Sequence, residues 1–314
     1  MKMKTIVIAV ALAVLLVGSV YAGNARRIGT AGAHELTIPV GSRGSAMGGA
    51  VVANSFGIES IYWNPAGLAA VESPEVMFSH QMYLADIDVN FGGAAVNIEG
   101  FGTLGLGAKI VSIGEMEETT QEQPYGTGRT FNPTLAVLSL SYARQLTNRV
   151  AFGATFNYIR EDIFEVEADG VAFDIGFLYE SGWNGLNFGF TVKNYGPEMS
   201  FSGRGFERPT NGRPTSAENA SFDLPSSLNF GVSYPVINVD ESKFLLSGNF
   251  RSNNYSEDYW QGGAEYSFQD RYFLRAGYNF ADQDEWIYGA SLGGGLNLDL
   301  GGTNVAFEYS WTDT

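Results

Sequence analysis

Few residues in this sequence have the types and spacing that catalysis needs. The chain contains two histidines, His34 and His80, and no cysteine, so a histidine-activated nucleophile would have to be a hydroxyl. Ser79 precedes His80, but neighbouring residues of a strand point to opposite faces and cannot act together as nucleophile and base. A serine on another strand could still partner His80, although nothing in the sequence selects one. We therefore expect a protein that is not an enzyme.

Motifs for metal or phosphate binding are equally weak. The segment ADQDE places Asp282, Asp284 and Glu285 where they could bind calcium, but it lacks the spacing of an EF-hand loop and is more typical of a solvated loop. The glycines alternate along strand-like segments and do not form a phosphate-binding loop. We expect no metal and no cofactor.

Three arginines stand together in an acidic chain. The sequence has 18 basic and 34 acidic residues, a formal net charge of −16, which argues against nucleic acid and anionic lipid surfaces as partners. Arg204, Arg208 and Arg213 lie in the segment GRGFERPTNGRP. We expect an external loop here that contacts a partner; a solvated loop without a partner is the alternative.

The N-terminus has the features of an export signal. Lys2 and Lys4 precede an apolar run from Thr5 to Val20, and Ala22 ends a stretch that a signal peptidase can cleave. We predict that residues 1–22 are a signal peptide cleaved after Ala22; a membrane anchor is the alternative, but the run is short for a spanning helix. Cleavage leaves a net charge of −18. An exported chain without cysteine has no disulfide framework.

Beyond the signal, apolar residues recur at every second position. In RVAFGATFNYIRE, Val150, Phe152 and Phe156 share one face, whereas Ala151 and Gly153 lie on the other. The segments are about 10–13 residues long, closer to a tilted membrane strand than to a mean soluble strand. We predict thirteen strands, at residues 75–84, 87–98, 102–113, 131–146, 149–161, 169–181, 185–195, 226–237, 242–252, 258–268, 271–281, 286–298 and 303–312.

These strands predict an all-β fold, a transmembrane antiparallel β-barrel of about fourteen strands over residues 73–314. Its small and polar faces suit a crowded lumen, and its apolar faces end in aromatic residues that suit a membrane interface. A closed barrel leaves no unpaired edge in lipid. Long connections follow odd strands and tight ones follow even strands, as expected for external loops and periplasmic turns. We expect the protein to lie in the outer membrane of a Gram-negative bacterium. Because such barrels have an even number of strands, we expect a fourteenth strand that this sequence lacks; the alternatives are a strand missed in this count or one supplied by the N-terminal region.

Two opposite charges are predicted to meet inside the barrel. Glu265 and Arg275 are placed symmetrically about Asp270 in the QDR turn, so they should face each other on neighbouring strands as a luminal ion pair. We interpret the pair as a structural link in the wall; a polar transport path is the alternative.

A barrel of this width needs something to fill it, since about eight strands already leave room only for wall side chains. Residues 23–72 are rich in glycine and lack barrel strands, so we predict that they form a luminal plug. A proline-containing turn should join plug and wall; a plain loop into the first strand is the alternative. The turn residues are Trp63, Asn64, Pro65, Ala66 and Gly67.

The chain also resembles a known family. The stretches GTAGAHELTIPVGSRGSAMGGAVVA, IESIYWNPAGLAAV and GGAEYSFQDRYFLRAGYNF resemble the PorV/PorQ family, which is similar in fold to the FadL outer-membrane transporters. The resemblance implies a fourteen-stranded barrel with an N-terminal hatch. PorV-like members serve type IX secretion by holding the C-terminal signal domains of exported proteins, whereas FadL-like members transport hydrophobic molecules.

We expect the first of these two functions, because the predicted inward faces are mostly Gly, Ser, Asn and charged residues rather than a continuous apolar lining. The expected partners are outer-membrane lipid and either exported proteins or other secretion components, with external loops as the contact surface. Transport of a hydrophobic small molecule is the alternative.

Overall fold

A computed structural model describes residues 29–210, 213–216, 219–281 and 287–313, with side chains for all of these except 207–210 and 213–216. The predicted signal peptide lies outside the described residues, as do Asp282, Asp284 and Glu285 of the acidic segment.

One antiparallel sheet dominates the molecule, and each of its thirteen main strands pairs with the next along the chain. We call these strands the wall. They are β1 (Glu75–Met82), β2 (Asp88–Ile98), β3 (Gly102–Ser112), β4 (Thr134–Thr147), β5 (Val150–Ile163), β6 (Val166–Glu180), β7 (Asn187–Tyr195), β8 (Ser227–Val239), β9 (Ser242–Asn253), β10 (Tyr259–Phe268), β11 (Tyr272–Phe280), β12 (Ala290–Asp299) and β13 (Asn304–Thr312).

All thirteen predicted strands are present, within a few residues of their predicted bounds. The main difference is the β5–β6 hairpin, where predicted loop residues 162–168 are mostly strand and only Phe164 and Glu165 form the turn. The physical reason is cross-strand pairing: Arg160 on β5 forms ion pairs with Glu167 and Asp169 on β6, which continue the ladder past the apolar stretch.

One face of the wall is apolar and exposed. On β1 the side chains of Val76, Phe78 and Met82 are 86%, 74% and 84% exposed, and on β13 Tyr309 is 73% exposed. Large apolar side chains are exposed in this way on most strands of the wall, far beyond the patches that soluble monomers expose. An outward apolar band of this kind is what a barrel presents to lipid.

The connections divide the wall into two ends. Because the strands alternate in direction, the long connections 113–133, 196–226 and 254–258 lie at one end, which we call the long-loop end. The turns 99–101, 148–149, 240–241 and 269–271 lie at the other, the short-turn end. Two small hairpins extend the long-loop end: Met116–Glu117 with Thr130–Phe131, and Glu207–Thr210 with Arg213–Ser216.

Residues 29–74, the N-terminal segment, cover the inner face of the wall. They form a 3-10 helix (His34–Thr37), α1 (Ser42–Ala46), α2 (Ser60–Trp63) and a second 3-10 helix (Pro65–Ala70). No helix in the described chain is long and apolar enough to cross a membrane.

The N-terminal segment runs through the barrel from one end to the other. At the long-loop end the Gly29 amide donates to the Tyr255 carbonyl (3.3 Å), and the Gly32 amide donates to the Asp223 carbonyl (3.0 Å). The segment ends where β1 begins, at the short-turn end. Its apolar residues Ile58, Ile61 and Leu68 form a buried cluster with wall residues such as Phe91 and Ala143.

Candidate functional site

The site begins at the turn between α2 and the following 3-10 helix. Asn64 has no exposed surface; its side-chain amide donates to the carbonyls of Val52 (2.7 Å) and of Phe177 on β6 (3.2 Å), and its Oδ1 accepts from the Ala66 amide (3.2 Å). Pro65 occupies the first turn of the 3-10 helix, where its missing amide hydrogen costs nothing. Asn64 thus joins the N-terminal segment to the wall.

Trp63 fixes the other side of this turn. Its indole nitrogen donates to the Val40 carbonyl (2.8 Å), and its ring contacts the Tyr62 ring edge-on at 4.9 Å. Ala66 and Gly67 are buried, and a side chain at Gly67 would collide with the Ser55 backbone and the Ser60 hydroxyl. The structure therefore places all five predicted turn residues together, buried between the N-terminal segment and the wall.

Wall glycines allow the N-terminal segment to approach to backbone contact. A methyl group at Gly153 would overlap the backbone of Pro65 and Ala66, and one at Gly176 would overlap the Asn64 amide. A methyl group would meet the segment at ten glycines of the inner face. At five of them it would meet backbone atoms of the segment: Gly153, Gly189, Gly231, Gly263 and Gly277. At the other five it would meet side chains of the segment: Gly93, Gly105, Gly107, Gly176 and Gly293.

Glu265 and Arg275 lie opposite each other on β10 and β11, with 2.6 Å between Oε2 and Nε. The sequence did not reveal the third member: Arg43 of α1 donates from Nε to the same Oε2 (2.9 Å) and from Nη2 to Oε1 (3.3 Å). Arg275 also pairs with Glu308 on β13 (2.8 Å). This network links three wall strands to the N-terminal segment. The only sequence signal was an isolated arginine in a glycine-rich stretch.

Glu59 holds the start of α1 in place. Its carboxylate accepts hydrogen bonds from the backbone amides of Arg43 (3.2 Å) and Gly44 (3.1 Å). Burial, and then the nearby charge of Glu308, raise the pKa of Glu59 to about 7, against the opposing effect of Arg43.

A second group of charges surrounds Tyr62. The ammonium groups of Lys193 and Lys109 lie 3.5 and 4.9 Å from the centre of its ring, and Lys109 also donates to the Ile38 carbonyl (3.1 Å). Asp174 is buried beside them. Burial also raises the pKa of Tyr62, so this hydroxyl stays protonated and donates to the Thr37 carbonyl (2.9 Å).

Glu35 of the N-terminal segment is a buried carboxyl group without a hydrogen-bond partner on either oxygen. Burial, and then the charge of Glu161 on β5, raise its pKa to about 8. Near neutral pH Glu35 is therefore mostly protonated.

Small cavities lie on both sides of Tyr62. One, of about 40 Å³, is lined by Arg251, Tyr259 and Gln261 of the wall together with residues of the N-terminal segment. The other, of about 30 Å³, is lined by Lys109 and Asp174 and, on one side, by apolar residues. Each has room for a few water molecules, so the described conformation has little free space at these two positions.

The fold is similar to that of three solved structures described as a channel, a transporter and a FadL homologue. Structures described as the CymD monoaromatic hydrocarbon channel, the Pseudomonas putida toluene transporter TodX and a Pseudomonas aeruginosa FadL homologue align over 87% of this chain and 93%, 92% and 90% of theirs. Their TM-scores are 0.52, 0.52 and 0.51, at 14%, 14% and 11% sequence identity. At this identity the similarity shows the fold alone, a β-barrel of the FadL type, as predicted.

Residues 21–233 match the family described as type IX secretion system protein PorV. The chain belongs to the PorV family. No curated protein matches it. The PorV match includes the whole N-terminal segment and the wall as far as β8, and it confirms the predicted family. Glu265, Arg275 and Glu308 lie beyond the matched range.

The long-loop end of this PorV-family barrel carries the three predicted arginines. Arg204 is exposed in a 3-10 turn, Arg204–Phe206. Arg208 and Arg213 lie on the two strands of the hairpin that follows, where Arg208 pairs with Thr215 and Arg213 with Thr210. The arginines therefore belong to one projecting element.

The two histidines do not form a site with Ser79. His80 is exposed and its Nδ1 contacts the Asn90 side chain at 3.0 Å, whereas Ser79 points to the opposite face of β1. His34 lies in the N-terminal segment with its ring 6.0 Å from the Tyr255 ring. In the described part of the chain no group of three or more acidic, histidine or cysteine residues could hold a metal ion.

Proposed function

We propose that this protein is a closed outer-membrane barrel that binds exported proteins through its long loops, in the manner of a type IX secretion component. The observation that carries the proposal is the contact between the N-terminal segment and ten glycines of the inner wall. A lumen filled to backbone contact offers no path for a large ligand, so recognition falls to the ends of the barrel.

Outer-membrane barrels place long loops outside the cell and short turns in the periplasm. On this basis the long-loop end faces the exterior, where exported proteins arrive. The connection 196–226 is the largest element there.

The base of this connection is well fixed. Met199 and Phe222 exchange two backbone hydrogen bonds (3.0 and 2.8 Å), and the rings of Phe201 and Phe222 lie 5.5 Å apart. Met199 and Leu224 are buried against the wall and the N-terminal segment. A hairpin on such a base can present Arg204, Arg208 and Arg213 to an acidic partner surface.

The test is to replace residues 204–218 by a short Gly-Ser linker, which keeps the base at Met199 and Phe222. We expect the amount of exported proteins with a shared C-terminal signal domain that co-purify with the barrel to fall at least about tenfold. A linker of equal length inserted between Gly301 and Gly302, at the opposite end, is the control. Unchanged attachment of these proteins in the loop variant would contradict the proposal.

A charge-reversal variant separates recognition from loop shape. The substitutions R204E, R208E and R213E keep the length of the hairpin but reverse its charge. If the arginines make the binding contacts, we expect these substitutions to reduce the binding of exported proteins as strongly as the deletion does. Full binding by this variant, together with loss in the deletion, would move recognition to the uncharged part of the loop.

Transport of a hydrophobic small molecule is the second candidate. It is supported by the FadL-type fold and by the apolar side of the 30 Å³ cavity, formed by residues including Leu36, Ile61 and Phe91. A cavity that binds benzene measures about 150 Å³, so the N-terminal segment would have to move. A stoichiometric apolar ligand in the purified barrel, with an uptake defect in cells lacking it, would support transport and count against the first proposal.

A further inference from the structure

Arg251 on β9 is a cation buried inside the barrel, with 7% of its surface exposed. Its Nε donates to the Asn253 side chain (3.1 Å) and its Nη2 to the Tyr255 hydroxyl (3.3 Å); the Tyr259 ring lies 5.9 Å from the guanidinium carbon. These partners are an amide and two phenol groups. Within the described ranges, no carboxylate forms an ion pair with Arg251.

The buried acids near Arg251 face other basic groups. Asp174 lies beside Lys193 and Lys109, and Glu35 and Glu161 lie on the Lys109 side of Tyr62. None of these carboxylates forms an ion pair with Arg251 within the described ranges. A guanidinium buried without a counterion is strongly destabilised.

The 40 Å³ cavity lies directly beside Arg251. Polar side chains dominate its wall side, where Gln261 and Asn279 accompany Arg251, and the N-terminal segment contributes Thr37 and Ser45. About 10–15 Å³ of such volume accommodates one water molecule, so the cavity accepts a halide-sized ion but excludes a large organic anion.

We propose that a halide-sized monovalent anion binds in this cavity against the Arg251 guanidinium. The anion neutralises the buried charge of Arg251 and contacts both the wall and the N-terminal segment. It therefore adds to the attachment of the segment at a point remote from the Glu265 network. This site is independent of the proposed secretion role.

The direct test uses crystals of the full-length mature barrel grown or soaked in sodium bromide. We expect a bromide anomalous peak within hydrogen-bonding distance of Arg251. The peak should be lost in R251Q and retained in R251K, which keeps the charge, and in the control K243Q. Lys243 lies on the same strand and is a suitable control because its ion pair with Asp270 is exposed. A wild-type crystal without this peak, or an undiminished peak in R251Q, overturns the proposal.

A solution measurement gives a second readout. The thermal unfolding midpoint should be higher in sodium chloride than in sodium gluconate of equal ionic strength, since an ion that binds only the folded state stabilises it. We expect this difference in wild type and K243Q, and its loss in R251Q. An equal difference in all three proteins would reflect a general salt effect and would contradict the site. If R251Q does not fold, the presence or absence of the bromide peak at Arg251 in wild-type crystals still supports or overturns the proposal.

Discussion

Asn64 shows how a single side chain can hold two elements together. It donates to one carbonyl of the N-terminal segment and to one of β6, and it has no exposed surface. We predict that Asn64→Ala destabilises the folded barrel by about 1–3 kcal/mol, because buried carbonyls lose their donor. The free energy of unfolding, determined by urea titration of the wild type and the variant, gives this loss of stability. Asn297→Ala removes a hydrogen bond to the Asp270 carbonyl at an exposed position and should change stability by less than about 0.5 kcal/mol. Equal effects would contradict the role of Asn64.

Glu265 is the centre of the buried ion network. It accepts from both Arg43 and Arg275, whose side chains are 7% and 3% exposed. We predict that Glu265→Gln costs about 3–5 kcal/mol, because it removes the carboxylate that pairs with the buried Arg43 and one of the two that pair with Arg275.

The exposed ion pair between Lys243 and Asp270 is the matched control for this substitution. Lys243 lies on β9, next to the strand that carries Glu265, and Asp270 lies in the turn that follows that strand. Asp270→Asn should cost no more than about 1 kcal/mol, as exposed ion pairs contribute little. Urea titrations of the two variants measure both losses of unfolding free energy. A cost for Glu265→Gln as small as that of Asp270→Asn would show that the network does not stabilise the fold.

Glu35 and Glu59 make the attachment of the N-terminal segment depend on pH. Their pKa values are raised from 4.5 to about 8 and about 7. A carboxyl group with a raised folded-state pKa contributes stability that is complete below pH 4.5 and is lost as pH rises through 7–8. We predict that protection of residues 29–74 from hydrogen exchange, corrected for intrinsic rates, falls at least about tenfold between pH 5.5 and 8.5.

The variant Glu35→Gln isolates the Glu35 part of this effect, because glutamine resembles the protonated acid. It should flatten the pH dependence near pH 8 and keep the protection seen at low pH. Protection that increases with pH in the wild type, or an unchanged slope in Glu35→Gln, would contradict this assignment.

At the residue scale the sequence predicted local relations and missed distant ones. Glu265 and Arg275 are ten residues apart across a tight turn, so their pairing follows from the strand register. Arg43 contacts the same carboxylate from 222 residues away, and no periodicity connects the two. The contact of Glu35 with Glu161 is hidden for the same reason.

At the scale of elements, the inward glycines explain how wall and N-terminal segment fit. Their alternation along the strands was visible in the sequence, where it suggested only a crowded lumen. The structure shows the specific purpose: backbone atoms of the segment occupy the space that side chains would fill. The positions of the strands were predictable because apolar residues recur at every second position in each of them. The β5–β6 turn was misplaced because charged cross-strand pairs extend that hairpin beyond its apolar residues.

Gly153→Ala tests the fit between these elements. The added methyl group would overlap the backbone of Pro65 and Ala66, which cannot move without shifting the turn. We predict a loss of about 1–3 kcal/mol in unfolding free energy. Gly92→Ala is the control, since its methyl group meets nothing within 4 Å on the outer face of β2. Equal stability of Gly153→Ala and Gly92→Ala in urea would mean that the segment does not contact the wall this closely.

At the scale of the whole molecule, the connection 196–226 is joined to the start of the N-terminal segment by direct contacts. The ring of Phe222 lies against Gly32, where a methyl group would overlap it, and the neighbouring Asp223 carbonyl accepts the Gly32 amide. A partner that displaces the base of the connection would therefore loosen the start of the segment. A partner that touches only the projecting hairpin would not.

Two variants distinguish these cases. We predict that Phe222→Ala increases hydrogen exchange of residues 29–40 by about tenfold or more, because truncating this partly buried phenylalanine removes packing worth about 1–3 kcal/mol. Replacement of 204–218 by a linker should leave exchange at 29–40 unchanged, since Met199 and Phe222 keep their backbone pairing. Exchange at residues 60–70 serves as an internal reference in both proteins, because Asn64 and the wall glycines hold that part of the segment. If the linker variant exchanges as fast as Phe222→Ala at residues 29–40, the hairpin itself restrains the segment, and client binding at the arginines would then act directly on the plug.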